Sequence, residues 1–165
     1  VISHRLASAD DRRFVIASWS ASFKGSYAAG MIYSDGVPTK DKHGNVFLID
    51  YADIMHAQIG RVLEQQDTRT YVAFESKDPT FLYGFIAGDT SDAVPTVFYV
   101  YVKLPYRKHG IAHGLFGALG VDPKQNFIYA CRTDDSTRLS DKIPRARWNP
   151  LVARYSKENA RRWPP

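Results

Sequence analysis

Apolar positions change period along the chain, and the changes mark its elements. Phe14, Val15, Ala17 and Ser18 lie on one helical side behind Asp10 and Asp11, either of which can cap a helix ending near Ser20. Tyr51, Met55, Ile59 and Val62 recur at helical spacing behind Asp50 and predict a second helix to about Gln66. The period then drops to two. TYVAFE (70–75) and FLYGFIA (81–87) read as a hairpin joined by SKDPT, and TVFYVYVK (96–103) as a third strand after GDTSDAVP. A Gly-rich helix over about 108–119 stops at Gly120 and Pro123, and FIYACR (127–132) follows as a fourth strand. Between the first two helices, residues 21–47 are punctuated by Gly25, Gly30, Gly36, Pro38 and Gly44 and read as loop. A loop of that length in a compact domain is more often a binding element than idle chain, and Phe23, Tyr27, Met31 and Tyr33 give it apolar surface.

Length and composition narrow the class. The chain has 165 residues, 44% apolar and 13% aromatic, which suits one globular domain and excludes fibre or disorder. No window approaches about 18 unbroken apolar residues, so no transmembrane helix is expected. The opening VISHRLASADDRRF lacks the apolar core of a secretory signal. The lone Cys131 rules out an internal disulfide framework and favours a reducing, cytoplasmic setting. The formal net charge of +5 is uneven. From Arg138 onward, Lys and Arg far outnumber Asp141 and Glu158, while residues 1–137 are close to neutral. The reading is therefore a domain over 1–137 and a basic segment over 138–165 docked on it. Such a segment suits phosphates, nucleic acid or an acidic protein face, and equally a solvated tail pairing with its own body.

The stretch that carries chemistry is VFYVYVKLPYRKHGIAHGLFGALG (97–120). A β-rich strand runs through Arg107-Lys108-His109-Gly110-Ile111-Ala112 directly into a helix. The first residues of a helix leave backbone N–H groups without internal partners, and the helix dipole adds positive character there. That combination seats a phosphate or pyrophosphate. Gly110 permits a φ that other residues resist, and Arg107 and Lys108 add formal charge at the rim. Gly114 and Gly117 each cost about 1 kcal/mol relative to Ala in a helix, which implies close packing on their side.

This strand–turn–helix, with Val102, Tyr106, Arg107, Gly110, Ile111 and Ala112 in place and Leu115 continuing the helix, closely resembles the acyl-coenzyme A signature of the GNAT superfamily of N-acetyltransferases. The resemblance covers roughly residues 2–132. It implies an α+β fold of the GNAT-like acyl-CoA N-acyltransferase type, a mixed, mostly antiparallel sheet with flanking helices, a first strand near 2–7 and an atypical C-terminus. It implies acetyl-coenzyme A as cosubstrate and an amine of a protein, small molecule or nucleobase as acceptor, attacking the thioester directly. Backbone groups of Val100 and Val102 would hold the acyl group and pantetheine where strand 96–103 splays from 127–132. The N–H groups of Lys108, His109, Gly110, Ile111 and Ala112 would hold the pyrophosphate. Two departures stand out. Family members often place a carboxylate on the strand before the turn, where this chain offers Thr96, Tyr99 and Tyr101. Many carry a general-acid tyrosine after the next strand within an N…Y…GF stretch, and here Tyr155 is the only tyrosine beyond it. Tyr99, Tyr101 and Tyr155 are thus the catalytic candidates. YVK-x-x-YR-x-x-GIA with a later RWNP is also similar to small bacteriophage-encoded acetyltransferase-fold proteins, which would imply an infected bacterial cytoplasm.

Other groupings have plainer readings. His109 and His113 share a helix face but lack a third ligand, so they read as polar lining and no metal is expected. Asp50 and Asp53 are explained by capping and the helix dipole, with His56 half-buried beside them. Cys131 reads as a small buried hydrophobe rather than a group facing the thioester. Phe98, Tyr99, Tyr101 and Tyr106 fit an alternating core strand as well as a stacking platform for bases. Trp148 and Trp163 sit among arginines, and RWNPLVARY alternates like a final strand docked on the sheet. Two rivals to catalysis are a nucleic-acid-binding protein using the basic segment and a catalytically silent scaffold.

Overall fold

The computed structural model describes residues 1–23, 39–40, 46–47, 51–131 and 146–148. Eight strands and three helices follow in chain order among them: β1 (Ile2–Leu6), α1 (Arg12–Phe23), β2 (Thr39–Lys40), β3 (Val46–Phe47), α2 (Tyr51–Leu63), β4 (Thr68–Glu75), β5 (Asp78–Asp89), β6 (Thr96–Val102), α3 (Ile111–Leu119), β7 (Phe127–Tyr129) and β8 (Ala146–Trp148). The main sheet has the order β1-β4-β5-β6-β7-β8, and β2 and β3 form a separate antiparallel pair. Its first three pairings are antiparallel, and β6–β7 and β7–β8 are parallel. The expected mixed, mostly antiparallel sheet with flanking helices is therefore present, including a first strand at Ile2–Leu6. No helix among the described residues is long and apolar enough to cross a membrane.

Each face of the sheet buries its own cluster. On one, Val15, Trp19 and Phe23 of α1 and Met55, Ile59 and Val62 of α2 meet Val72, Phe85, Phe98 and Tyr99. On the other, Ile111, Leu115 and Leu119 of α3 meet Ala73, Ile86, Val97 and Phe127. The buried side of α1 differs from the sequence reading. Val15, Trp19 and Phe23 form the i, i+4, i+8 stripe, Ala17 is exposed, and the helix runs into the predicted loop. The hairpin is also longer than its apolar runs. Asp78 pairs with Glu75 and Asp89 with Thr68, so the ladder recruits polar residues on both sides of FLYGFIA. The last strand is Ala146–Trp148, earlier and shorter than RWNPLVARY suggests. Asp50, most of the 21–47 loop and nearly all of the basic segment lie outside the described residues.

Asp11 directly precedes α1, and its carboxylate reaches backward. It accepts from the Ser8 N–H at 2.7 Å and hydroxyl at 2.9 Å, and it forms an ion pair with the Arg5 guanidinium. The pair ties β1 to the start of α1. Burial pushes the Asp11 carboxyl up, but Arg5 and Ser8 outweigh burial and hold it below its ordinary value. A depressed folded value means that the pair contributes stability above the ordinary carboxylate range, and that the contribution is lost as pH falls through that range. Asp11→Asn should lower stability by about 1–2 kcal/mol near pH 7, allowing for the partly exposed Arg5. The deficit against wild type should shrink below about pH 4, which paired denaturant titrations would measure.

Candidate functional site

The site begins with one extra residue in β6. Ala87 pairs with Tyr99 and Gly88 with Val97, so Phe98 has no opposite number on β5. This is a β-bulge, which bends its strand and shifts the ladder phase. Its mark is visible in the core, because the consecutive Phe98 and Tyr99 both join the α1–α2 cluster while Val97 and Val102 join the other. Gly88 makes the bulge possible. A Cβ there would lie 2.5 Å from the Thr96 carbonyl oxygen and 2.7 Å from Leu119 Cδ2.

At the bulge, β6 leaves β7. Parallel pairing involves Thr96 and Val97 alone, closed by Ile128 N–H to Pro95 O (2.9 Å) and Ala130 N–H to Val97 O (3.0 Å). On its other side β6 stays paired with β5 as far as Val102. Among the described residues no strand lies against the β7-side edge of β6 beyond Val97. Lys103 N–H donates to Tyr83 O at 2.8 Å, and this fixes the alternation. Tyr99 and Tyr101 direct their peptide groups to β5, so those of Val100 and Val102 turn to the open edge. Arg107 Nε donates to the Val102 carbonyl at 3.1 Å, which confirms that direction. The guanidinium of Arg107 is thereby tied to the strand as well as contributing charge to the turn.

The turn into α3 is built from irregular backbone. A 3₁₀ turn, Leu104–Tyr106, closes with Tyr106 N–H to Lys103 O at 2.9 Å. Lys108 has φ 68° and Gly110 φ 77°, both left-handed. For lysine that conformation costs about 1–2 kcal/mol. Left-handed residues interleaved with others turn successive N–H groups into one concavity, the geometry of an anion-binding nest. The helical ladder opens with Gly114 N–H to Gly110 O at 3.0 Å, which leaves the N–H groups of Ile111, Ala112 and His113 without helical acceptors. Among the described residues no side chain caps Gly110, and a Cβ on it would meet nothing within 4 Å. The concavity opens to solvent, with Lys108, His109 and Gly110 exposed and Ile111 buried behind them. His109 Nδ1 lies 2.8 Å from the Arg107 carbonyl, a contact that braces the turn.

The candidate tyrosines differ in setting. Tyr99 is 6% exposed, stacked on Trp19 at 4.8 Å and 14°. Its hydroxyl lies 2.9 Å from Ser22 Oγ, which itself donates to the Ser18 carbonyl, so the phenol proton points to Ser22. Tyr101 is half-buried, with its ring edge-on to Phe14 at 6.4 Å and tilted on Phe85 at 6.0 Å. Tyr155 lies outside the described residues. Cys131 packs against the α1–α2 cluster, and burial pushes its thiol up to about 12, partly offset by a hydrogen bond from the Trp19 side chain. That thiol is inert as a nucleophile at neutral pH. The close packing expected at both helical glycines occurs at one. A Cβ on Gly114 would lie 2.6 Å from the His4 ring, whereas one on Gly117 would meet nothing within 4 Å among the described residues, in a depression of about 340 Å³ lined with His113, Gly120 and Val121. Sequence reasoning missed Trp19, Ser22 and the bulge. The i+4 spacing of Val15, Trp19 and Phe23 was the available signal for Trp19, and nothing in TVFYVYVK marks Phe98 as the extra residue.

No protein-family model and no curated protein matches the chain. Solved structures with a similar fold include an aminoglycoside antibiotic 6'-N-acetyltransferase from Acinetobacter baumannii, at 12% identity and TM-score 0.49 over 87% of this chain and 89% of that one. A Clostridium acetobutylicum protein described as an acetyltransferase and solved with acetyl-CoA is similar at 11% identity and TM-score 0.49, over 86% of this chain and 88% of that one. A Desulfovibrio desulfuricans protein described as an acetyltransferase of the GNAT family is similar at 13% identity and TM-score 0.43 over 72% of this chain. The chain spans 63% of the length of that last protein.

Two glycines of the turn and helix should respond oppositely to alanine. Gly110→Ala should cost about 1–2 kcal/mol through its left-handed φ, although its Cβ has room. Gly117→Ala should gain about 0.5–1 kcal/mol through helix propensity. Chemical denaturation of the two variants would measure both.

Proposed function

We propose that this chain is an acyl-coenzyme A-dependent N-acyltransferase, with acetyl-coenzyme A as donor and an amine as acceptor. The observation that carries the reading is the continuity of the open β6 edge with the N–H concavity at the start of α3. One surface thus offers strand-like hydrogen bonding for an extended amide-bearing arm, then donors for a diphosphate at its end. The residues fit the donor: the cradle has room outside Gly110, and Ile111, Ala112 and His113 have N–H groups without helical acceptors. In this reading Val100 and Val102 bind the pantetheine arm through their peptide groups, and the N–H groups from Lys108 to Ala112 hold the pyrophosphate. Lys108 and Arg107 add positive charge, with Arg107 fixed by its bond to Val102.

The chemistry asked of the protein is modest. A lysine-like amine has a pKa near 10.4 and attacks only as the free base, so its ammonium proton must first leave to solvent. The C–N bond then forms and the C–S bond breaks. The second amine proton is lost to solvent, and the departing thiolate takes up a proton from a phenol in the site, which solvent then reprotonates. The reading assigns Tyr101 to proton handling, because its ring is half-buried, whereas the Tyr99 hydroxyl is engaged by Ser22. A silent scaffold is the second reading, favoured by the lack of any carboxylate on β6 and by that engagement of Tyr99.

Calorimetric titration with acetyl-coenzyme A tests the donor site. Wild type should bind and Gly110→Trp should bind at least about 10-fold more weakly, whereas equal affinity in the two would refute the cradle. Thiol release over a panel of amines separates the two readings. Tyr101→Phe should reduce turnover by about 10²-fold with donor affinity unchanged, and wild type that binds donor but releases no thiol with any amine would favour the scaffold.

A further inference from the structure

With no carboxylate on β6, a base for the acceptor amine has to come from a neighbouring element. The described strands of the main sheet carry three carboxylates, Glu75, Asp78 and Asp89. Glu75 and Asp78 face each other at the β4–β5 turn, away from the bulge, and Glu75 accepts from the Tyr83 hydroxyl at 2.7 Å. Asp89 lies at the other end of β5. It pairs with Thr96, next to the Gly88–Val97 pair that borders the bulge, and β6 leaves β7 directly after Val97. Alternation from Ala87 puts the Asp89 side chain on the α1–α2 face, and alternation from Val97 puts that of Thr96 there too. The carboxylate is half-buried and held by its own turn, its Oδ1 accepting from the Ser91 N–H at 2.8 Å and hydroxyl at 2.5 Å. On its other side Asp89 pairs with Thr68, whose hydroxyl is buried without a partner among the described residues. A buried hydroxyl of that kind calls for an ordered water, and the neighbouring carboxylate gives such a water a second partner. A polar row of Thr96, Asp89 and Thr68 thus crosses three strands, one register step from the point where the sheet opens.

We propose that Asp89 is the general base of the transfer, taking the amine proton across one bridging water, an assignment that rests on the acyltransferase reading above. The nitrogen lone pair forms the C–N bond to the thioester carbon, and the nitrogen proton passes through the water to the Asp89 carboxylate. When the C–S bond breaks, the thiolate takes its proton from the phenol, and Asp89 returns its own to solvent. Base and acid then stand on different strands, Asp89 on β5 and Tyr101 on β6. The base is supplied from the strand beside β6, which answers the absence of a carboxylate on β6 itself.

Thiol release from acetyl-coenzyme A by the full chain tests this, with benzylamine, putrescine and lysine methyl ester as acceptors. Asp89→Asn keeps an amide oxygen for the Ser91 donors, so the turn stays capped. Its kcat should fall about 10²-fold while acetyl-coenzyme A affinity, read by calorimetry, stays that of wild type. Asp89→Ala leaves room for a small carboxylate, and added formate should restore its turnover saturably without changing wild type. A residue that only capped the turn would not respond to formate. Wild-type kcat in Asp89→Asn, or an Asp89→Ala variant that binds donor but gains nothing from formate, would overturn the assignment and leave the acyltransferase reading intact. No thiol release by wild type with any of the three amines would overturn the reading and the assignment together.

Discussion

A strand hydrogen-bonded on both sides has no backbone left for a ligand, and the placement of Phe98 removes that constraint. The bulge keeps β6 attached to β5 along its length while freeing the opposite edge after Val97. It is held by packing on both sides of the chain. Phe98 and Tyr99 both occupy the α1–α2 core, and a regular strand would send one of them to the α3 face. Gly88 supplies the missing Cβ opposite, where Thr96 and Leu119 press closest. A register slip would therefore cost a buried aromatic and a steric clash at once.

The second half of the site is fixed by α3. Ile111, Leu115 and Leu119 seat this short helix on Ile86 and Val97, Gly114 lets it approach His4, and Phe116 meets Phe127 edge-on at 5.6 Å. Its C-terminus closes on left-handed Gly120, with Gly120 N–H to Gly117 O and Val121 N–H to Phe116 O, both at 3.0 Å. With the helix pinned, the turn before it can hold Lys108 and Gly110 in costly conformations. Lys103 adds a brace where β6 ends, its Nζ lying 5.3 Å from the Phe14 ring centre and 4.7 Å from that of Phe81. Open strand edge and N–H concavity are thus parts of one rigid surface.

Local signals were legible in the sequence, and nonlocal ones were not. Gly110, Ile111, Leu115 and Gly120 mark the turn and helix through conformational demand and i+4 spacing; the helix ends before Gly120 as expected but begins at Ile111 rather than near 108, which leaves His109 off the helix that carries His113. Phe98 is invisible because VFYVYV (97–102) is apolar or aromatic throughout: shifting its alternation by one residue changes no polarity. β7 is shorter than FIYACR because its ladder to β6 stops at Ala130, a limit set by the partner strand. The expected buried side of α1 carries Ala17 and Ser18 and so excludes Trp19, whereas the sheet selects the Val15–Trp19–Phe23 stripe. The Arg107–Val102 and Tyr99–Ser22 bonds join elements by tertiary packing that no spacing rule encodes.

Amide hydrogen exchange along β6 tests the free edge most directly. Tyr99 and Tyr101 should be strongly protected by β5, while Val100 and Val102 exchange much faster and become protected when acetyl-coenzyme A is added. Slow exchange at all four amides in the unliganded protein would mean that the edge is already paired, contradicting the account at its root.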